Sequence, residues 1–286
     1  MILLRELAAW REQAPWPKDF QVEQDLLLTR AMAAIFSDDF LSGQVAMRGG
    51  TVLHKIHLAP AARYSEDIDL VLVGDRPEAH VQKALRRVLE PVLGAPRFSL
   101  FEDVKLTVRN LVLPSRVLRQ EYRYTPLAGP TEMKVKIEVN CNERRPFFDL
   151  VDLAQPLAPV VGYGETVTIR SYDVDEMLGT KMRALLQRDQ GRDLFDLWWA
   201  LTPARQRTAH QVTPRRIIDA FTEYLAREGT RVTFEVYDDE LRRKLALRSF
   251  RSDVTGMLRA GIPPYDVDAA AAQVRGDLLS LLAAIG

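Results

Sequence analysis

Apolar residues recur with two different periods along this chain. Through residues 22–36, Leu26, Leu27, Ala31, Ala34 and Ile35 fall at helical spacing and predict an amphipathic helix behind a shorter first one. An apolar strand at 44–47 feeds Gly49-Gly50-Thr51, which opens a helix over 51–56. A polar turn follows. Asp67-Ile68-Asp69 then starts a strand whose remainder, residues 70–73, is apolar enough to be buried. Residues 81–93 predict a helix with Val81, Leu85, Val88, Leu89 and Val92 on its buried side. Period-two runs at 104–112, 120–124, 131–140 and 165–170 predict antiparallel strands. In the clearest of them Val135, Ile137 and Val139 share one face, and Lys134, Lys136 and Glu138 the other. Pro156, Pro159, Gly162 and Gly164 predict a break, beyond which the pattern turns helical at 173–188, 191–201, 215–228, 238–259 and 267–285. Asp173 followed three residues later by Glu176 reads as a capping box. The pattern predicts an α+β, bilobal chain, with a mixed sheet and flanking helices over 1–165 and a helical bundle over 166–286.

Composition narrows the class without naming a chemistry. The 286 residues are 47% hydrophobic and 27% charged, which is globular composition and is ample for a buried core. A single cysteine, Cys141, excludes an intrachain disulfide. No apolar run is long enough to span a bilayer, and Arg5 and Glu6 interrupt the first one, so the expected location is the cytoplasm. The net charge of +0 argues against non-specific adhesion to nucleic acid, but it hides local segregation. Arg116, Arg119 and Arg123 form one basic cluster, and Arg205, Arg207, Arg215 and Arg216 surround His210 in another. Arg242, Arg243, Lys244, Arg248 and Arg251 form a third. Each reads either as a solvated face or, if the protein acts on RNA, as a set of phosphate contacts.

The sharpest signal is the stretch from Gly49 to Asp69. Side chains two apart on a strand share a face, so Asp67 and Asp69 aim together at the mouth of a buried strand. Two anions held side by side repel unless a cation lies between them, and hard oxygen ligands at this spacing suit Mg²⁺ or Mn²⁺. Gly49, Gly50 and Thr51 supply the complement, because glycine lets the backbone approach a phosphate and a helix N-terminus favours its charge. Arg63 and Ser65 stand just ahead of the carboxylates and join the candidate phosphate contacts. Ser65 lies two residues before Asp67, where added negative charge, as from phosphorylation, would oppose a triphosphate. Phosphate cradle plus metal carboxylates reads as phosphoryl or nucleotidyl transfer.

In these residues the sequence resembles the AbiEii family of nucleotidyltransferase toxins, part of the DNA polymerase β-like superfamily and including the MenT toxins of mycobacteria. Gly49-Gly50-Thr51 with RYSEDIDL resembles the first motif, and KVKIEVN, carrying Glu138, the second. EMLGTKMRAL, carrying Lys181, resembles the third, and RDLFDL, carrying Asp193 and Asp196, the fourth. The resemblance implies a nucleotidyltransferase-like first lobe, with the nucleotide between the lobes and Glu138 a third metal carboxylate beside Asp67 and Asp69. It implies that Lys181 meets the triphosphate and that Asp196 belongs to the catalytic set, with Asp193 either beside the nucleotide or in a structural ion pair. It also implies transfer of a nucleoside monophosphate from an NTP to RNA, a tRNA 3′ end foremost, with growth arrest and a cognate antitoxin. An aminoglycoside-type small-molecule nucleotidyltransferase and a non-catalytic nucleotide-binding protein are the competing readings.

Overall fold

The computed structural model describes residues 2–108, 111–202 and 211–284. They form two compact units. The first runs up to Val52 and takes up Tyr64–Leu106 and Pro114–Tyr172; the second includes Leu53–Arg63 and the chain from Asp173 onward. The expected division at 165/166 therefore moves. The strand at 166–171 belongs to the first unit, and an eleven-residue excursion ahead of the carboxylate strand belongs to the second.

The first unit begins with helices α1 (Leu4–Arg11), α2 (Asp19–Phe36) and α3 (Asp39–Gln44). Strand β1 (Val45–Arg48) then leads into the short helix α4 (Gly49–Val52), followed later by β2 (Asp67–Leu72) and α5 (Glu78–Leu93). Strands β3 (Phe98–Val108), β4 (Leu111–Tyr124), β5 (Met133–Asn140), β6 (Val151–Pro156) and β7 (Thr166–Ser171) complete it. They make one seven-stranded sheet in the order β3-β4-β5-β2-β1-β7-β6. The predicted mixed sheet is present, but not all its strands are antiparallel: β2 runs parallel to β5, and β1 to β7. Strand β6 was not foreseen, because its half-exposed alternation ends at Pro156, which reads as a breaker. Proline is tolerated there because β6 is an edge strand. Residues 109 and 110 of the predicted 104–112 run lie outside the described residues. Helix α2 is buried almost all round, with Leu26, Leu28 and Ile35 inaccessible, because it packs against α1, α5, β2 and β7.

The second unit is helical. A π turn at Leu53–His57 precedes α6 (Val174–Gln187), α7 (Gly191–Leu201) and helices at Pro214–Arg227, Phe234–Leu245, Arg248–Ser252 and Val267–Val274. The single helix predicted over 238–259 is broken. Its C-terminal end extends instead, Leu258 bridging to Arg63 and the Arg259 amide donating to the Ala62 carbonyl at 2.9 Å. Asp173 caps α6 as expected, accepting from the Asp175 amide, but Glu176 forms no capping box. It is fully buried and accepts from the Tyr224 hydroxyl at 2.7 Å. Gly179 lets α6 approach Pro214–Arg227, since a Cβ there would crowd Ala220 and the Ile217 carbonyl.

Candidate active site

The register of β2 fixes the site. Arg48 of β1 lies opposite Asp69, Glu138 of β5 lies opposite Asp69 on the other side, and Lys136 lies opposite Asp67. Register partners point the same way, so Asp67, Asp69, Lys136 and Glu138 share one face. Ile68 between the two acids is fully buried and anchors the strand. Gly49 has φ +83 and packs directly on the Asp69 carboxylate, where any Cβ would overlap it. Both the dihedral and the close approach require glycine at this position. The glycine turn thus lies on the β1 side of the carboxylates.

Thr51 is fully buried. Its Oγ1 lies 2.5 Å from the Asp67 carbonyl and 2.8 Å from Ser65 Oγ. A hydroxyl has one proton. Thr51 therefore donates to the carbonyl and accepts from Ser65, tying α4 to the start of β2. What the turn offers a phosphate comes from its backbone and from the half-buried Ser65. Ser65→Asp is expected to abolish nucleotide transfer by placing a third negative charge beside Asp67 and Asp69, whereas Ser65→Ala should keep at least partial activity. Transfer assays on the pair check this, and an active Ser65→Asp protein would refute it.

Burial, and secondarily the neighbouring Asp69, push the Asp67 carboxyl up to about 6, while Lys136 acts in the opposite direction. A divalent cation on the face that Asp67 and Asp69 share would relieve that repulsion. These oxygen donors fit Mg²⁺, which retains water and phosphate oxygens and does not need an all-protein cage. Glu138 occupies the expected row but is engaged by Arg119, whose Nε donates to it at 2.8 Å while Nη1 donates to Glu102 at 2.5 Å. Among the described residues no three acidic, histidine or cysteine groups converge as a ready metal site.

Sequence reasoning missed Gln24. It is buried in α2, and its amide donates to the carbonyls of Glu66 at 3.2 Å and Lys134 at 2.9 Å, while its Oε1 accepts from the Tyr64 hydroxyl at 2.5 Å. One side chain thereby pins the start of β2 to the start of β5. Beside it a groove of about 340 Å³ opens next to Asp67, on the β5 side.

The remaining site candidates meet inside the second unit. Asp196 is fully buried and accepts from Arg63 at 2.6 and 2.8 Å, from His54 Nε2 at 2.8 Å and from Lys181 Nζ at 2.9 Å. Asp193, also fully buried, takes Lys181 at 3.0 Å and Arg188 at 2.7 Å, and not its sequence neighbour Arg192. Arg63 and Lys181 hold the Asp196 carboxyl well below the usual carboxylate range against the opposing effect of burial. Burial pushes His54 down to about 4, so it is neutral at pH 7. His54 carried no local signal, and its role emerges only through Asp196. With their oxygens spent in this way, Asp193 and Asp196 position cations, and the Arg63 guanidinium is largely consumed by Asp196. Lys181 retains one N–H beyond its two aspartates.

The sequence profile of a family described as "Nucleotidyl transferase AbiEii toxin, Type IV TA system" matches residues 30–273. The chain belongs to the AbiEii nucleotidyltransferase toxin family. Membership makes it a nucleotidyltransferase and the toxin of a toxin–antitoxin system, and it implies an NTP substrate, a divalent metal and an antitoxin. No curated protein matches it in sequence. Its fold is similar to that of MenT4, a nucleotidyltransferase toxin from Mycobacterium tuberculosis. That match has a TM-score of 0.54 and 18% identity, covering 99% of this chain and 90% of that one. It is also similar to JHP933 from Helicobacter pylori, with a TM-score of 0.51 and 13% identity over 94% of each chain.

In this AbiEii-family chain the basic clusters are mostly neutralised. Arg116 pairs with Glu78 at 2.9 Å, and Arg123 with Glu121 at 2.8 Å and Glu132 at 2.6 Å. Arg215 pairs with Asp219 and Arg216 with Asp173 and Asp175, while Arg205, Arg207 and His210 lie outside the described residues. Arg242, Arg243 and Arg251 pair with Asp238, Asp189 and Asp268. Lys244 is fully buried, donating to the carbonyls of Leu185, Leu186 and Arg188. It therefore caps the C-terminus of α6 and leaves the surface run. Of that run only Arg248 has no acidic partner among the described residues. Among those residues, too, no helix is long and apolar enough to cross a membrane.

Proposed function

We propose that this chain transfers a nucleoside monophosphate from an NTP to the 3′ end of RNA in the cytoplasm, a tRNA foremost, and so arrests growth. The observation that carries this reading is Asp67 and Asp69 on one face with the Gly49 backbone packed against Asp69. Asp67 and Asp69 would hold Mg²⁺ or Mn²⁺, which when bound would neutralise the charge of the triphosphate and of the departing pyrophosphate. Gly49, Gly50 and Ser65 would contact phosphate oxygens, and Thr51 would hold Ser65 in place. The acceptor hydroxyl oxygen forms a new bond to the α-phosphorus, pyrophosphate leaves, and the hydroxyl proton passes to solvent. Lys181, held by Asp193 and Asp196, would keep its remaining N–H for a phosphate oxygen. Glu138 keeps Arg119 in the same row and adds negative charge beside Asp69. The protein's contribution is chiefly positioning and charge stabilisation.

The test is incubation with each of the four labelled triphosphates and either total RNA or aminoglycosides. Label in RNA of tRNA length, abolished by chelator, is the expected result. Label confined to the small molecule, or absent with every nucleotide, would overturn the proposal.

A further inference from the structure

The groove beside Asp67 has a composition that the nucleotide-binding side of the site does not use. It is lined by Glu66, Asp67, Glu132, Met133, Lys134 and Lys136, with Arg123 at its wall. Arg123 is shared between Glu132 at 2.6 Å and Glu121 at 2.8 Å. Asp67 is committed to the metal in the reading above. That leaves the ammonium groups of Lys134 and Lys136, neither in a salt bridge among the described residues, beside the exposed carboxylate of Glu66 and in the field of Glu121, which Arg123 engages. The cradle is fixed rather than adaptable at its floor, because Gln24 bonds the backbone of both Glu66 and Lys134. At about 340 Å³ it is near the lower end of small-ligand sites, ~300–1,000 Å³, and suits about one nucleotide residue.

Its position is as informative as its charge. Sheet order places β1 on one side of β2 and β5 on the other. The glycine turn follows β1, whereas the groove is built on β5 and the facing end of β4. A two-substrate transfer needs the acceptor hydroxyl to approach from a different direction than the triphosphate, yet to end at the same carboxylates. We infer that this groove is the acceptor subsite and that it takes the terminal nucleotide of a single-stranded RNA, with Lys134 and Lys136 on its backbone phosphates. Met133 offers an apolar wall to the base or ribose. A polycationic small acceptor would meet two ammonium groups and one free carboxylate there, so the charge favours a polyanion. This inference rests on the RNA-transfer reading above and adds where the RNA sits.

The experiment measures binding of a fluorescent single-stranded oligoribonucleotide with a free 3′-hydroxyl across a salt series. It uses wild type, Lys134→Met and the Lys134→Met/Lys136→Met double variant, with thermal midpoints recorded for each. Affinity for a non-hydrolysable NTP is measured separately by calorimetry. The double variant should bind RNA about tenfold or more weakly at low salt. Its salt slope should flatten by ~0.7 for each RNA phosphate that no longer meets an ammonium group, and NTP affinity should be retained in Lys134→Met, which leaves Lys136 opposite Asp67. Lys134→Met, at an exposed position, should show an intermediate loss. A double variant with wild-type RNA affinity and slope overturns the groove assignment even where wild type labels RNA. Loss of NTP affinity with unchanged RNA binding also overturns it, assigning the groove to the donor. Wild type that neither binds nor labels RNA overturns the transfer reading and the groove together.

Discussion

Asp67→Asn and Asp69→Asn should each lower nucleotide transfer by at least ~10²–10³-fold, the scale of losing one group that stabilises developing charge. Each change removes ligand charge while almost conserving volume, so the sheet should not suffer. Ile68, which anchors β2, is untouched, and the Gly49 backbone can still pack on a side chain of the same shape at 69. Asp67→Asn should leave the thermal midpoint of the metal-free protein unchanged or higher, because it ends the repulsion with Asp69 and the cost of burying a carboxylate. Transfer assays and thermal melts of both variants in chelator test this. Activity within tenfold of wild type would remove the two acids from the reaction, and a collapsed midpoint would make them structural.

The largest effect on stability is expected from Asp196→Ala. That carboxylate is the common acceptor of Arg63, His54 and Lys181, all inside the second unit. Removing it leaves the Arg63 guanidinium buried without its main counter-charge and Lys181 with Asp193 alone. Breaking a buried pair from one side costs about 3–5 kcal/mol, because the abandoned charge cannot regain water. Urea denaturation should show a lower midpoint with the slope preserved. A loss under ~1 kcal/mol would mean that the network contributes little and that its ions find water.

The local chemistry of the first unit was legible because it is written in adjacent residues. Alternation alone places Asp67 and Asp69 together and sets Glu138 and Lys136 apart from Val135, Ile137 and Val139. What the sequence could not show are partners brought by the fold. Arg63 reads as a phosphate ligand because it stands near the carboxylates, yet its acid lies 133 residues away. Lys244 reads as one of a basic run, yet the carbonyls it caps lie 56–59 residues earlier. The run from Leu241 to Arg251 contains no acid of its own; Asp238 and Glu240, one turn earlier on the same helix, were legible partners for Arg242 and Arg243, whereas neutralisation by Asp189 and Asp268 is tertiary information. Strand β6 was hidden for another reason: an edge strand that is half exposed and ends in proline lacks the apolar contrast that marks a central one.

The excursion at Leu53–Arg63 limits how this toxin can be taken apart. The chain enters the helical unit directly after Thr51–Val52 and returns at Tyr64, just ahead of Ser65 and Asp67. Splitting the gene after Tyr172 would therefore not separate two modules. The N-terminal fragment would carry away Arg63 and His54, and the C-terminal one would keep Asp196 deep in its interior with Lys181 as its only remaining cation among the partners named. Domain exchange between relatives meets the same obstacle, since a foreign helical half would have to arrive with its own version of eleven residues encoded inside the other half. Recombination and proteolytic trimming are thus constrained to treat the two halves as one heritable piece.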